Sequence, residues 1–278
     1  MSFRYSLSLL LLAAAAALPL RAQEDVLYPY PSKAKAYLLG VEIGPNFSLF
    51  SQDVTLSPID NLTSPVRALE SGNGIGFFGS LMAEVPLTDK IGLQGKVGLD
   101  YKRFSMSGSG IADCPNNQQN PFDTLLMNVD QTLSTLYFTS GLFLRFDVAK
   151  DIFVTAGPVL HRWSKSAKIS TELEITSPGT CVFTANGQKS IETEKTDKTS
   201  LNESRLGLEA GVGMRFTIGE NLWLTPALRF QLMLDPFAPD GVGDVDDFRQ
   251  NTLGLLNMNF TDRALNALQL GIGVWWQP

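Results

Sequence analysis

One histidine and a nearby serine are the residues of this chain that could support nucleophilic catalysis. His161 lies in the segment LHRWSKS, and Ser164 follows three residues later. A histidine next to a serine could activate the hydroxyl as a nucleophile. On a regular strand, however, residues three apart point to opposite faces. We therefore expect His161 to have an ordinary polar role near the outer end of a strand, and we predict that the protein is not an enzyme.

A second candidate for chemistry is the acidic segment DPFAPDGVGDVDDF, residues 235–248. Its aspartates could hold a cation, but they lack the ligand spacing and the terminal glutamate of an EF-hand loop. We interpret it as a solvated acidic loop, with divalent ions bridging it to lipopolysaccharide as the alternative. No P-loop, zinc cluster or dinucleotide fingerprint occurs in the chain. We predict no metal and no cofactor.

Ten charged residues share one face of the strand-like runs with many glycines. Five are acids and five are bases: Glu42, Glu84, Lys96, Asp100, Lys102, Arg145, Asp147, Glu209, Arg215 and Arg229. Pairs such as Asp100 and Lys102 could work as acid and base. Equal numbers of opposite sign fit an internal network of ion pairs better, because a buried charge is tolerated only when it is paired and hydrogen-bonded. We predict a charge network in a protein interior, with partners reaching across that interior.

The elements that would position these charges are β-strands. In IGLQGKVGLDYKRF, residues 91–104, apolar residues alternate with glycine, polar or charged ones, which is the pattern of a strand with two different faces. Outside the N-terminus no long stretch has helical periodicity. Period-two runs occur at about 37–50, 73–87, 91–106, 132–148, 152–168, 202–218, 222–234 and 263–277.

The connections between these runs alternate between short and long. Residues 88–90, 149–151 and 219–221 read as tight polar turns, whereas the long polar connections cover 51–72, 107–131, 169–201 and 235–262. A soluble β-sandwich has no reason to place every long connection at one end. The pattern therefore predicts an all-β fold, an eight-stranded antiparallel up-and-down transmembrane β-barrel with short periplasmic turns and four long extracellular loops.

Glycine content decides which face is the inside. Glycine weakens a solvent-exposed strand and packs nothing there, but the narrow interior of an eight-stranded barrel needs small residues opposite large ones. We therefore expect Leu93, Val97 and Leu99 to face lipid. Aromatic residues cluster near both strand ends, as interface belts do, although Trp223 and Trp275 point inward by parity. The alternative is a soluble all-β domain with the apolar face as its core.

The N-terminus reads as a secretory signal. MSFRYSLSLLLLAAAAALPLRAQ combines an early arginine, a short apolar run and a cleavage site near Ala22. An uncleaved anchor is the alternative, but the run is short for a bilayer span. We expect residues 1–22 to be a signal peptide, 23–36 a periplasmic N-terminal segment and 37–278 the barrel, located in a bacterial outer membrane. The formal charge of −6 and the lack of a basic cluster argue against nucleic-acid binding.

The two cysteines fit an oxidising compartment. Cys114 and Cys181 fall in the second and third long connections. Both would lie on the same side of the membrane, so a disulfide between them is geometrically possible.

The first strand carries a resemblance to a known group. GVEIGPNFSLFSQD, Gly40 to Asp53, resembles the first strand of Bacteroidota outer-membrane β-barrel families, including the PorT-like group, in its glycine-rich run ending in Asn-Phe-Ser before an acidic loop start. The end of the predicted signal, Ala22-Gln23, also resembles signal sequences of that lineage. The resemblance implies an eight-stranded barrel inserted by the outer-membrane assembly machinery. Many proteobacterial barrels end in an aromatic residue, whereas this chain ends in Gln277-Pro278. Its assembly signal would therefore be read differently.

Together these features predict a monomeric outer-membrane barrel with a filled interior, not an open pore, that has a structural or binding role through its extracellular loops. Expected partners are outer-membrane lipid and lipopolysaccharide, the assembly machinery during insertion, and a possible extracellular or secretion-system protein. One alternative is an accessory component of a secretion or envelope-assembly system, as the PorT-like resemblance implies. The other is a barrel enzyme that modifies lipid A.

Overall fold

A computed structural model describes residues 37–56, 69–113, 124–177, 179, 181–183, 186–197, 201–239, 241–242 and 258–278. The predicted signal peptide and N-terminal segment, residues 1–36, lie outside this range. All regular structure within the described residues is β-strand. No helix among them is long and apolar enough to cross a membrane.

Within the described residues, eight strands form a closed antiparallel ring. Each strand pairs with the next along the chain, and the last pairs with the first, so the sheet closes on itself. The predicted eight-stranded up-and-down barrel is confirmed. The ring strands are β1 (Leu38–Leu56), β2 (Ser71–Pro86), β3 (Ile91–Asp113), β4 (Thr124–Asp147), β5 (Ile152–Ile175), β7 (Ser204–Met214), β9 (Leu222–Met233) and β11 (Met258–Trp276).

Three shorter strands complete the sheet in the described part of the chain. β6 (Ser190–Asp197) pairs with the outer part of β5, and β10 (Gly241–Val242) pairs with β11. β8 (Phe216–Gly219) continues β7 along β9 after an interruption at Arg215. We call the end of the barrel with the long connections the outer end, and the opposite end the turn side.

The tight turns close through local hydrogen bonds. In the turn between β2 and β3, the Thr88 hydroxyl accepts from the backbone N–H groups of Lys90 and Ile91 at 3.2 and 3.0 Å. A threonine side chain that accepts hydrogen bonds from the backbone N–H groups of its own turn stabilises a short connection. In the β4–β5 turn, the Val148 N–H donates to the Ile152 carbonyl at 3.0 Å.

The strands turn their apolar residues outward. Val97 and Leu99 are 55% and 46% accessible, whereas Lys96 and Asp100 beside them are 4% and 1% accessible. A water-soluble fold would reverse this arrangement, because it would bury the apolar set. An apolar outer surface around a charged interior is the architecture of an outer-membrane barrel.

The outer end extends further than the sequence suggested. β3, β4 and β5 are 23, 24 and 24 residues long, whereas crossing a bilayer takes about 9–11 residues. Their outer halves and β6 form a four-stranded sheet, which we call the outer sheet. The predicted loops at 107–131 and 169–201 are therefore wrong in part, because alternate residues there, including Met127 and Leu173, bury apolar side chains and so continue the strands.

Close strand contacts explain two inward-facing glycines. A Cβ on Gly44 would lie 1.9 Å from the Leu270 carbonyl oxygen, and one on Gly271 would lie 2.3 Å from the Glu42 carboxylate. Gly44 lets two backbones approach, and Gly271 makes room for a large charged side chain. The expectation that the interior needs small residues opposite large ones therefore holds at Gly271.

Candidate functional site

The middle of the barrel interior is crossed by ion pairs between non-neighbouring strands. Lys96 on β3 donates to both carboxylate oxygens of Glu209 on β7, at 2.6 and 2.8 Å. The Arg229 guanidinium lies 3.8 Å from the same carboxylate and also pairs with Glu42 on β1. Gln231 adds a hydrogen bond to Glu209 at 2.9 Å. This chain of contacts joins β3, β7, β9 and β1 through the lumen.

Asp100 is the centre of a second cluster in the same layer. It pairs with Lys102 at 2.9 Å and accepts hydrogen bonds from Asn46 and from Gln269, the latter at 3.2 Å. The expectation that Asp100 and Lys102 find partners across the barrel is wrong for this ion pair, because the two residues are next-but-one neighbours on β3. The across-barrel contact of Lys102 is instead a 3.4 Å hydrogen bond to Gln231.

The turn side holds a third cluster. Arg145 contacts Glu84 and Asp147, each at 2.9 Å, and Arg215 lies 3.9 Å from Glu84. The Arg215 guanidinium also lies 5.8 Å from the centre of the Phe153 ring. Next to this cluster, four buried residues pack together at the same end: Leu38, Met82, Trp223 and Trp275.

All ten residues of the predicted charge network lie at buried, inward-facing positions. Sequence reasoning missed the amides Asn46, Gln231 and Gln269, which hydrogen-bond to the carboxylates of the network. Strand alternation places these three amides on the inward face, but a prediction based on charged residues does not include neutral side chains.

The outer part of the interior is apolar. The rings of Phe50 and Phe104 stack with centroids 4.6 Å apart, and Phe237 meets them edge-on at 5.8 and 5.6 Å. We call this group, with the buried residues packed around it, the apolar plug. Phe104 and Trp163 belong to it, so these two aromatic residues face the interior and are not part of an interface belt. The remaining members include Leu69, Met106, Leu133, Leu173, Phe183, Leu201, Ala238 and Leu265.

Backbone hydrogen bonds hold loop residues in the plug. The Phe237 N–H donates to the Arg263 carbonyl at 2.6 Å, and the Phe237 carbonyl accepts from Asn202 at 3.2 Å. On the other side, Gln52 donates through its backbone to Glu70 and through its side chain to Leu69, at 2.8 and 2.7 Å. The loops therefore contribute side chains to the barrel mouth and are tied there.

The residues considered for catalysis are not joined. His161 is buried in the interior, with its ring centroid 5.6 Å from that of Tyr137. Ser164 lies half-buried where β5 bulges against β4, next to Lys165 with a φ of 60°. Within the described part of the chain, neither the imidazole nitrogens nor the Ser164 hydroxyl has a hydrogen-bond partner, so they do not bond to each other.

Two further predicted sites lie partly outside the described residues. Half of the acidic segment 235–248, with four of its five aspartates, is outside them; within them, Asp235 accepts a hydrogen bond from the Leu206 N–H at 2.6 Å. No group of acids, histidines or cysteines suited to a metal occurs among the described residues. Cys181 is buried and disulfide-bonded, while Cys114 lies outside the described residues.

The outward face of the outer sheet is ordered in rows. Asp130, Glu172 and Glu192 stand side by side on β4, β5 and β6, and all three are exposed. Nearer the apolar band, Lys168 pairs with Glu194 at 2.9 Å. A shallow concavity on β3 and β4 adjoins the acidic row, lined by Ser107, Gly108, Ser109, Asn128 and Asp130.

At the base of the outer sheet, Lys165 pairs with Glu203. The hydrogen bond from the Lys165 ammonium, together with its charge, lowers the pKa of the exposed Glu203 carboxyl. This pair therefore stays ionised to lower pH than an isolated glutamate would.

No protein-family model and no curated protein matches the chain. Among solved structures it is similar to Ail, the attachment invasion locus protein of Yersinia pestis, at 12% identity over 87% of this chain and 100% of that chain, with a TM-score of 0.31. It is also similar to Neisserial surface protein A, at 12% identity over 86% and 97% of the two chains and a TM-score of 0.34. For the outer membrane protein OprG from Pseudomonas aeruginosa the values are 12%, 88%, 98% and 0.31. Likeness at this level carries no argument about function, and the fold rests on the geometry described above.

Proposed function

We propose that this chain is a bacterial outer-membrane barrel that does not conduct, and that it acts as a structural or binding protein through the outer sheet and its loops. The observation that carries the proposal is an interior occupied at three successive levels: the turn-side cluster around Arg145, the central ion pairs around Glu209, and the apolar plug around Phe104.

The two outer levels, which are the central ion pairs and the apolar plug, support a closed barrel for different reasons. Lys96, Glu209, Arg229 and Glu42 bridge strands on different sides of the ring, so an ion path would have to separate buried ion pairs, which is costly. The plug would resist water and ions because it is apolar and tightly packed.

The outer sheet supports a binding role. Its strands continue well beyond the length that a bilayer requires, and their outward face presents hydroxyl and carboxylate groups in register. Surfaces held on rigid strands and loops at the end of a scaffold are common places for recognition. We propose that a partner outside the cell, a protein or the saccharide part of lipopolysaccharide, contacts this face.

Planar-bilayer recording tests the first half of the proposal. The purified barrel should give no large, stable channels. A variant with Phe104, Phe237 and Arg229 replaced by alanine should conduct measurably more often, because it opens the two outer levels together. Large and stable channels from the unmodified protein would refute a filled, non-conducting barrel.

Site-specific crosslinking in intact cells tests the second half. A photoreactive residue replacing Glu172 or Glu192 should capture a discrete partner. The matched control replaces Leu142, an outward-facing residue of the apolar band that is 53% accessible, and should capture lipid alone. If the outer-sheet positions give the same products as Leu142, the binding role fails.

The PorT-like resemblance of residues 40–53 suggests a more specific form of this function, an accessory role in secretion or envelope assembly. Deletion of the gene should then reduce secreted cargo. We further propose that the protein has no lipid A-modifying activity, supported by the lack of a hydrogen bond between His161 and Ser164. A lipid A mass profile that changes in the His161→Ala variant would contradict this.

A further inference from the structure

Among the residues that the structure describes, one buried charge in the barrel interior has no carboxylate partner. Among the described residues, the buried acids are Glu42, Glu84, Asp100, Asp147 and Glu209, and the buried bases are Lys96, Lys102, Arg145, Arg205, Arg215 and Arg229. Six bases against five acids leave an excess of one positive charge. Arg205, which the sequence-based charge network omits, is the base that makes the difference.

Arg205 is fully buried, yet no ion pair joins it to any carboxylate in the described part of the chain. Its Nη2 donates only to the backbone carbonyls of Leu265 and Asp235, at 3.2 and 3.4 Å. Its Nε and Nη1 have no hydrogen-bond partner among the residues described. The Asp235 carboxylate acts on it from a distance, but that side chain is exposed and bonded to the Leu206 N–H.

Arg205 cannot become neutral by losing a proton, because a guanidinium stays charged in proteins. A buried charge without a counter-charge is strongly unfavourable. A neutralising group that is not part of the described chain is therefore expected beside Arg205.

Other unpartnered polar atoms face the same region. His161 lies directly opposite Arg205 in the β5–β7 register, and neither of its ring nitrogens has a hydrogen-bond partner among the described residues. Tyr137, whose ring lies 5.6 Å from the His161 ring, faces Arg205 through its hydroxyl as well as through charge, and in the described part of the chain this hydroxyl has no acceptor for its own proton. All three side chains are fully buried.

The surroundings favour a negative ligand. Arg205 is the unbalanced positive charge beside His161, because the nearby Lys102 and Lys96 are paired with Asp100 and Glu209, and the Phe237 ring lies 5.5 Å from the Arg205 guanidinium on the plug side. The free donors are few: two guanidinium nitrogens, one hydroxyl and one imidazole N–H. These donors are enough to hydrogen-bond a monatomic anion. Phosphate or sulfate would have oxygens without donors facing the apolar plug.

We propose that a halide-sized inorganic anion binds inside the barrel, between the central ion pairs and the apolar plug, held by Arg205, Tyr137 and His161. The site is enclosed, so the anion is taken up as the barrel folds. The proposal does not depend on whether the barrel conducts or which partner it binds.

Crystals of the full chain, refolded and grown in sodium bromide, test it directly. An anomalous bromide peak is expected within hydrogen-bonding distance of the Arg205 guanidinium and the Tyr137 hydroxyl. Ordered water alone at this position would overturn the proposal, and so would an Asp235 side chain turned inward to pair with Arg205.

Variants give a second readout in solution. At constant ionic strength, bromide should raise the urea midpoint of the unmodified protein relative to glutamate, an anion too large for the site. Arg205→Met should lose this dependence and Tyr137→Phe should weaken it, while Arg103→Met, an exposed arginine on β3, should keep it. An unmodified protein that shows no bromide dependence, or an Arg205→Met variant that keeps it, would refute the site even if crystals fail to grow.

Discussion

The central layer and the outer part of the barrel interior are filled in opposite ways. Around Glu209 the contacts are ion pairs between strands that lie apart in the ring, whereas around Phe104 they are apolar and include loop residues. The difference follows the surroundings. In the bilayer the strands already have an apolar exterior, so polar residues can occupy the inside. Beyond the bilayer, the outer sheet meets water on its outward face and must bury its own apolar side to stay folded.

One barrel therefore uses two sources of stability. The central layer depends on complete pairing, because the loss of one partner leaves the other charge buried and unpaired. The plug depends on packed area, where a loss is graded and local. Variants that separate these two behaviours should therefore affect different parts of the molecule.

The largest effect is expected from Glu209→Gln. The substitution keeps the shape but removes the charge that balances Lys96, and it weakens the environment of Arg229. We expect a loss of about 3–5 kcal/mol in the free energy of unfolding, as for other broken buried pairs. Urea titration followed by heat-modifiable gel migration measures it.

Glu194→Gln is the matched control, because Glu194 forms an exposed ion pair with Lys168. Such pairs contribute about 0.2–1 kcal/mol. Similar losses in the two variants would break the distinction between the central network and surface charge.

A smaller and more local effect is expected from Leu173→Ala in the apolar plug. The loss should be about 2 kcal/mol, at the low end of the range for leucine truncation because the nearby loops can collapse into the space. Limited proteolysis should show faster cleavage in residues 176–189, with little change in the heat-modifiable migration of the barrel. Leu142→Ala in the apolar band is the control, and it should leave loop cleavage unchanged.

The disulfide should affect the outer sheet more than the barrel. We propose that Cys181 pairs with Cys114. Intact mature protein should not react with a thiol label until it is reduced, and reduction should speed loop proteolysis while the gel migration of the barrel persists. Labelling of unreduced protein would contradict the pairing.

The smallest effect concerns the exposed Lys165–Glu203 pair. Because the folded pKa of Glu203 is lowered, its contribution to stability is present above the unfolded pKa and is lost as pH falls through the folded pKa. Titration of the Glu203 carboxyl by NMR should show the lowered pKa, and Lys165→Met should return it toward the ordinary value. An unchanged titration in Lys165→Met would mean that the lysine is not the cause.

Period-two parity was sufficient to predict the ring and the direction of its side chains. Once Val97 is assigned to lipid, Lys96 must face inward, because successive residues of a strand alternate. Parity does not specify partners. Glu209 meets Lys96 only because of the stagger and curvature of the closed ring, and no local pattern encodes that geometry.

The plug and Arg205 show where sequence reasoning stops. Phe237 follows Asp235 and Pro236 in a stretch without periodicity, so nothing marks it as a residue that turns into the barrel. Arg205 has the same inward parity as the network residues, but parity does not show whether a buried charge has a partner. The lengths of β3 to β5 were underestimated because serine and threonine on their outward face resemble loop composition.

The ion pair between Arg229 and Glu42 has a consequence for folding kinetics. The two residues are 187 positions apart in the chain and lie on the first and the penultimate ring strands. Contacts of such high sequence separation form late and slowly. Glu42 and Arg229 can therefore pair only after almost the whole chain has been synthesised and its first and last ring strands have come together. A chain truncated before β9 would carry Glu42 without its counter-ion, which would leave it a poor candidate for insertion and a good substrate for proteolysis.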